Sequence, residues 1–210
     1  GPALRELGTE SGGLQIGASL THRELQKSPL VAERLPVLAE VCSQIATPTL
    51  QAMGTLGGNI MLDTRCIWYN QSELWRTALG GCLKCDGSVC HVAPKGTGCY
   101  AAHSADPIPV LLLSNAEVEF AGPQGVRRVA LRTLYHSDGL IGANTQPTEL
   151  LTRILVPPPT GAIAYRKLRV RASLDYPLLL TAVRVDRDDT GACTGGAVAL
   201  SSMGPRTVLL

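Results

Sequence analysis

Apolar positions change their period along this chain, and each change marks an element. Leu14-Gln15-Ile16-Gly17 alternates after a Gly12-Gly13 turn and predicts a short strand. Thr21 stands where it can cap a helix opening at His22, with Glu24 in capping-box spacing. From about Leu30 to Ile45, the residues Val31, Leu35, Leu38 and Cys42 keep the three-to-four spacing of a helix with one buried face. Pro48 blocks its continuation. Residues 54–64 (GTLGGNIMLDT) read as a glycine-rich loop leading into a short apolar stretch. From 66 to 101 no period is sustained and turn formers are dense. So long an irregular stretch inside a compact domain needs something other than an apolar core to order it.

Regular pattern returns at Asp106, where Pro107 to Leu113 suits a short apolar helix. Ala116 to Phe120 alternates, Gly122-Pro123-Gln124-Gly125 turns, and Val126 to Leu131 completes a hairpin. Glu149 to Val156 reads as a strand ending at the stiff run Pro157-Pro158-Pro159, a domain boundary. Beyond it, Ala162 to Leu168, Leu178 to Asp186 and Ala192 to Leu200 predict successive antiparallel strands. The pattern is α+β, without the regular alternation of a doubly wound sheet.

Composition narrows the function classes. Of 210 residues, 45% are hydrophobic and 17% charged, which suits a globular chain. Nineteen basic residues against 17 acidic give a net charge of +2, which argues against a strongly basic nucleic-acid binder. No apolar run reaches the roughly 18 residues of a membrane helix. The chain opens on Gly1-Pro2 and closes on Val208-Leu209-Leu210, so both ends are expected to be cuts in a longer protein.

Candidate chemistry concentrates in the irregular stretch. Of seven cysteines, Cys66, Cys82, Cys85, Cys90 and Cys99 fall there, whereas Cys42 and Cys193 sit among apolar or small residues and are expected to be buried thiols. An odd, local set argues against a secreted disulfide framework and for metal ligation in a reducing compartment. Cys82-Leu83-Lys84-Cys85 has zinc-knuckle spacing, with Cys90, His91 and Cys99 able to complete a tetrahedron. Thiolates equally suit an iron–sulfur cluster, and spacing alone leaves both open. Trp68, Tyr69, Trp75 and Tyr100 are expected to form a mini-core there, with shielding of the metal a by-product. Gly54-Thr55-Leu56-Gly57-Gly58-Asn59 could bring backbone amides up to an anion, although a tight turn accounts for it as well. Asp63, Asp106 and Lys167, each taken alone, read as surface charges or helix caps. No GxSxG, HExxH or paired-carboxylate signature is present.

Taken together, these segments are more specific than any one of them. Ile16-Gly17-Ala18 through Thr21-His22, then Leu35-Pro36-Val37-Leu38-Ala39, then Gly54 to Ile60 resemble the FAD-binding subunit of the molybdenum hydroxylases, the group of xanthine dehydrogenase and the carbon monoxide dehydrogenase flavoprotein. Leu62-Asp63-Thr64-Arg65-Cys66 followed by a cysteine-bearing insertion resembles the β subunit of 4-hydroxybenzoyl-CoA reductase, in which the insertion carries a [4Fe-4S] cluster.

The resemblance implies a second FAD-binding subdomain over 1–156, an iron–sulfur insertion at about 66–101, and the start of an antiparallel α+β C-terminal domain over 160–210. It implies FAD contacts at Thr55, Gly57, Gly58 and Asn59, whose backbone would cradle the diphosphate, and at Asp106 and Lys167. It implies cluster ligation by Cys66, Cys82, Cys90 and Cys99, with Cys85 a bystander. The expected function is electron relay in a cytoplasmic oxidoreductase complex, between FAD, the cluster and partner subunits carrying a molybdenum cofactor and [2Fe-2S] centres. Ferredoxin is a candidate donor, and substrate chemistry would fall to the partner. The implied reaction is reductive dehydroxylation of an aromatic acyl-CoA. The alternatives are xanthine, aldehyde or N-heterocycle oxidation, or a zinc-stabilised binding module without a redox role. By this resemblance the family's first FAD subdomain is expected to lie outside these 210 residues, and Gln51-Ala52 stands where Arg-Asn often precedes the glycines.

Overall fold

A computed structural model describes residues 2–210. It holds two antiparallel sheets. The first contains β1 (Leu7–Glu10), β2 (Gly13–Gly17), β3 (Glu117–Gly122), β4 (Gly125–Ala130) and β5 (Leu150–Val156), in the order β1-β2-β5-β3-β4. The second contains β6 (Ala162–Leu168), β7 (Leu179–Arg187), β8 (Cys193–Ser201) and β9 (Val208–Leu209), each beside its neighbour in sequence. The predicted hairpin is β3–β4, and the strand after it, β5, inserts between β2 and β3. Sequence patterning gave no sign of β1. It pairs with β2 through a tight turn in which Ser11 (φ 51°) and Gly12 (φ 82°) both take left-handed backbone, the geometry of a type I′ hairpin.

Short helices fill the span between β2 and β3. The capping box forms at α1 (His22–Lys27): the Glu24 amide donates to Thr21 Oγ1 at 3.2 Å, and the Thr21 amide donates to the Glu24 carboxylate at 2.8 Å. The single helix expected from Leu30 to Ile45 is instead two, α2 (Pro29–Arg34) and α3 (Pro36–Ser43). They break at Leu35 (φ −151°, ψ 66°), because a proline denies the helical region to the residue before it. The apolar period survives the break, since Val31, Leu35, Leu38 and Cys42 are all buried. After α4 (Pro48–Gln51), the expected glycine-rich loop is wound into a five-residue helix, α5 (Leu56–Ile60). The stretch 66–101 contains one short helix, α6 (Glu73–Ala78), none of whose residues is buried.

The helix α7 (Ile108–Leu113) joins the two sheets. All six of its side chains are buried, and it packs against β6, β7 and β8. Arg184 on β7 donates to the Leu113 carbonyl at 2.8 Å, satisfying one of the acceptors left open at the helix end. One contiguous core therefore includes Phe120 and Ile154 of the first sheet with Tyr165, Leu180 and Ala199 of the second. Among the described residues, no helix is long and apolar enough to cross a membrane. Leu111, fully buried at the centre of α7, is the direct test of this joint. Leu111→Ala is expected to cost about 2–5 kcal/mol, with both sheets losing protection together in urea titrations followed by hydrogen exchange.

Candidate functional site

The glycine-rich turn is assembled from two sides. The Leu56 amide donates to Leu20 O at 2.9 Å and the His22 amide to Gly54 O at 3.0 Å, which pairs Thr55 with Thr21. Thr55 caps α5, its hydroxyl accepting from the Gly58 amide at 3.1 Å. Gly57 lies against Ala18, where a Cβ would fall 2.7 Å from both the Ala18 Cβ and its carbonyl oxygen. The glycine is therefore required by close approach of two backbones. The amides of Leu56, Gly57, Gly58 and Asn59 all donate within the protein, at 2.9, 2.9, 3.1 and 3.0 Å. The expected backbone cradle is thus already engaged. The polar atom left without a hydrogen-bond partner at this turn is the buried Asn59 Oδ1, beside half-buried Thr55 and exposed Gly58.

Asp106 and Lys167 are neither surface charges nor caps. Lys167 Nζ lies 2.8 Å from Asp106 Oδ1, and the two side chains are 2% and 7% exposed. Tyr165 OH donates to the same carboxylate oxygen at 2.9 Å, and Lys167 also donates to Gln44 O at 3.2 Å. Burial raises the Asp106 carboxyl above its ordinary value, against the opposing pull of Lys167 and Tyr165. The sequence could not show this pairing, which joins the N-terminal end of α7 to β6. No hydrogen bond runs from either residue to the 55–59 turn, but His22 and Cys42 stand between. Cys42 Sγ is 3.8 Å from His22 Nδ1, and a Cβ on Gly54 would lie 3.3 Å from the His22 ring. Burial, and then the charge of Asp106, push the Cys42 thiol up to about 12. Cys42 is the buried thiol expected, whereas Cys193 is exposed on β8, where a run of small residues leaves it uncovered.

Beyond Asn59 the chain enters the cysteine-bearing insertion through a narrow neck. Arg65 and Ala102 exchange backbone hydrogen bonds of 2.9 and 2.8 Å. Inside it, from Cys66 to Tyr100, the only buried residues are Cys82, Cys90 and Cys99. These three and Cys66 line one cavity, together with Trp68, Tyr69, Lys84 and His91. Cys85 is not on its wall; its Sγ lies 3.7 Å from Asp86 Oδ2. Cys82 and Cys85 exchange backbone hydrogen bonds of 2.9 and 2.8 Å in a tight turn, which leaves no room for a Cβ on Gly87, 2.5 Å from the Cys82 nitrogen.

Backbone amides face the sulfurs. The Tyr69 amide donates to Cys66 Sγ at 3.3 Å. Burial would raise the Cys90 thiol, but the amides of Tyr100, Ala93 and Val92 together bring it below its ordinary value. Burial raises Cys99, and the nearby Cys90 and Cys66 sulfurs add to the rise. Tetrahedral zinc would bring thiolates within about 3.8 Å of one another. Among the described residues, no group of three or more His, Cys, Asp or Glu side chains is already placed to hold a metal ion, the four cysteines of the cavity included, and His91 Nε2 is engaged with Gly81 O at 2.6 Å. The knuckle centred on Cys82 and Cys85 is therefore not assembled. The aromatic mini-core forms in part: the Trp68 ring lies 5.7 Å from Trp75 and 5.3 Å from His91, but Trp75 and Tyr100 are 40% and 45% exposed, and Trp68 and Tyr69 line the sulfur cavity.

Comparison with known proteins agrees with this architecture. Residues 2–159 match the family described as FAD binding domain in molybdopterin dehydrogenase. The aldehyde oxidoreductase FAD-binding subunit PaoB of Escherichia coli (strain K12) is 32% identical over 201 residues, covering 91% of this chain and 63% of that protein. The carbon monoxide dehydrogenase medium chain of Afipia carboxidovorans is 30% identical over 206 residues, covering 95% of this chain and 54% of that one. Quinoline 2-oxidoreductase from Pseudomonas putida 86 shares the fold with a TM-score of 0.74 at 21% identity, over 99% of this chain and 58% of that one. The chain thus spans a little over half the length of the proteins it matches.

Two outcomes follow from the packing. Gly57→Ala is expected to cost about 1–3 kcal/mol by overpacking against Ala18, read as a lower urea midpoint, with Gly58→Ala much milder. His22 and His103 are buried, and burial lowers each to about 4, so both fold as neutral rings. The unfolded chain takes up those protons first, so stability is full above about pH 6.5 and is lost as pH falls toward 4. Urea midpoints measured across that window should fall, and less steeply in His22→Gln.

Proposed function

The chain belongs to the FAD-binding domain family of molybdopterin dehydrogenases, and from that premise we propose that it is an electron-relay subunit holding FAD beside a [4Fe-4S] cluster. One observation carries the cluster: an insertion whose only buried residues are cysteines, three of them ringing a cavity with a fourth. Four thiols on the wall of one cavity match the ligand number of a [4Fe-4S] cluster. The enclosed volume is small, about 10 Å³, so seating a cluster means spreading the sulfurs. The exposed turns that carry them leave room for that movement.

In this reading Cys66, Cys82, Cys90 and Cys99 are the ligands and Cys85 is not. The amides facing Cys66 and Cys90 stabilise thiolate charge, and Trp68 and Tyr69 exclude water. Thr55, Gly58 and Asn59 contact the flavin nucleotide, and Gly57 lets α5 approach Ala18 closely enough to present them. Asp106 and Lys167 reach the flavin only by exchanging part of their mutual pairing, so we assign them to fixing the wall of its site. Bound FAD exchanges electrons singly or in pairs, and an iron–sulfur cluster exchanges them singly. Residues 1–156 would form the flavin-binding unit with its insertion at about 66–101, and 160–210 the start of a C-terminal unit. Partner subunits carrying a molybdenum cofactor and [2Fe-2S] centres would complete the complex, with ferredoxin a candidate donor.

The resemblance read from the sequence and the identity with a relative point to different substrate classes. The Asp63-Thr64-Arg65-Cys66 junction and its insertion favour reductive dehydroxylation of an aromatic acyl-CoA. The 32% identity with an aldehyde oxidoreductase subunit favours aldehyde oxidation. Turnover of the assembled complex with 4-hydroxybenzoyl-CoA against an aromatic aldehyde separates them.

The cluster itself is tested by iron, labile sulfide, zinc and flavin quantitation on anaerobically purified complex. Cys90→Ser should bleach the cluster's visible absorbance, and Cys85→Ser should leave it intact. Zinc without labile sulfide, or equal bleaching in both variants, would overturn the assignment.

A further inference from the structure

The sulfur-lined cavity has one fixed positive charge on its wall and no carboxylate there. That charge is Lys84, set in the turn between Cys82 and Cys85, with a side chain 11% exposed. Its ammonium is held by four acceptors: Thr64 Oγ1 at 2.6 Å, Asp63 Oδ1 at 2.7 Å, Gly139 O at 2.8 Å and Thr64 O at 2.9 Å. It also lies 5.4 Å from the centre of the Tyr69 ring, whose residue donates its amide to Cys66. Three of the four contacts go to Asp63 and Thr64, the residues just before the neck. The cation thus bridges the cavity and the segment that leads back to the glycine-rich turn.

We propose that Lys84 is a positioning residue that raises the reduction potential of the group held by Cys66, Cys82, Cys90 and Cys99 and fixes that group against the flavin-side segment. The inference rests on the cluster reading above and deepens it. Reduction adds one negative charge to the cluster, and a desolvated cation beside it favours the reduced form. Asp63 opposes this effect, but its side chain is 47% exposed and water screens it more than the buried ammonium. Asp138, which accepts from the Cys99 amide at 3.0 Å, adds a second opposing charge that stays constant when Lys84 is changed. A staple without electrostatic consequence would make loss of Lys84 and loss of Asp63 act alike. The charge argument makes them act in opposite directions.

The test is an EPR-monitored redox titration of the anaerobic complex, following the signal that Cys90→Ser removes. Lys84→Gln should make reduction about tenfold less favourable, a fall of about 59 mV for one electron. Asp63→Asn should shift the midpoint upward, and Lys84→Arg should stay near the wild-type value. If Lys84→Gln fails to assemble a cluster, the other two variants decide together: an unchanged midpoint in Lys84→Arg with an upward shift in Asp63→Asn supports the proposal, and any other result overturns it. Labile sulfide present with all midpoints unchanged, or with Lys84→Gln and Asp63→Asn moving together, overturns this inference alone. A wild-type complex lacking labile sulfide overturns the cluster reading and this inference with it.

Discussion

From Cys66 to Tyr100 the chain has almost no apolar core, and this constraint shapes everything around it. Ile67, Leu74, Val89 and Val92 are exposed, and the interior positions are taken by sulfur. Fixing a backbone of this length costs conformational entropy at every residue, which burial of three thiols by itself offsets only in small part. Further order comes from hydrogen bonds within its turns and from polar ties at the base of the insertion. Arg65 pairs with Ala102, Asp138 accepts from Cys99, and Lys84 reaches Thr64 and Gly139. Each tie anchors the insertion to the flavin-binding unit, and none lies among the solvent-facing turns. A ligand that bonds all four cysteines would add the missing cross-link where the fold lacks one.

The rest of the molecule is built the opposite way. The helix α7 is buried on every side, and the two sheets meet on it without any metal or loop to hold them. The Asp106–Lys167 pair stands beside that apolar joint. A buried ion pair contributes little net stability, but removing either partner leaves an unpaired buried charge. The pair therefore fixes how β6 meets the start of α7 more than how strongly. Tyr165 and the Gln44 carbonyl complete the arrangement, so the site wall combines apolar packing for strength with a polar set for register.

What could be read from sequence follows from the range of the physics involved. Alternation and turn residues are local, and they located β2, the β3–β4 hairpin and three of the four strands of the second sheet, but not β9. The capping box at Thr21 and Glu24 is local as well. The break at Leu35 was also written in the sequence, in Pro36, but the uninterrupted apolar period outweighed it. The burial of Asp106 and Lys167 was not legible, since each becomes an interior residue only through a partner 61 positions away. Lys84 escaped notice for a different reason. The pattern Cys82-Leu83-Lys84-Cys85 draws attention to its cysteines, and only the fold shows that the intervening lysine faces the sulfurs while Cys85 does not.

Chain connectivity bears on the electron-relay reading independently of any ligand. Six residues lie between Asn59 and Cys66, so even fully extended the seven Cα-to-Cα steps span at most about 25 Å. The actual path is shorter, because Asn59 and Ile60 lie within α5 and the chain turns at Met61. Lys84 then ties the far side of the cavity to Asp63 and Thr64, in the middle of that tether. The glycine-rich turn and the four cysteines are thus held near each other twice, by the backbone and by a side-chain cross-brace. A chain that merely required a structural metal would gain stability from that cross-brace, but it would not depend on the distance to Thr55 and Asn59. Two groups that must exchange electrons would depend on that distance directly.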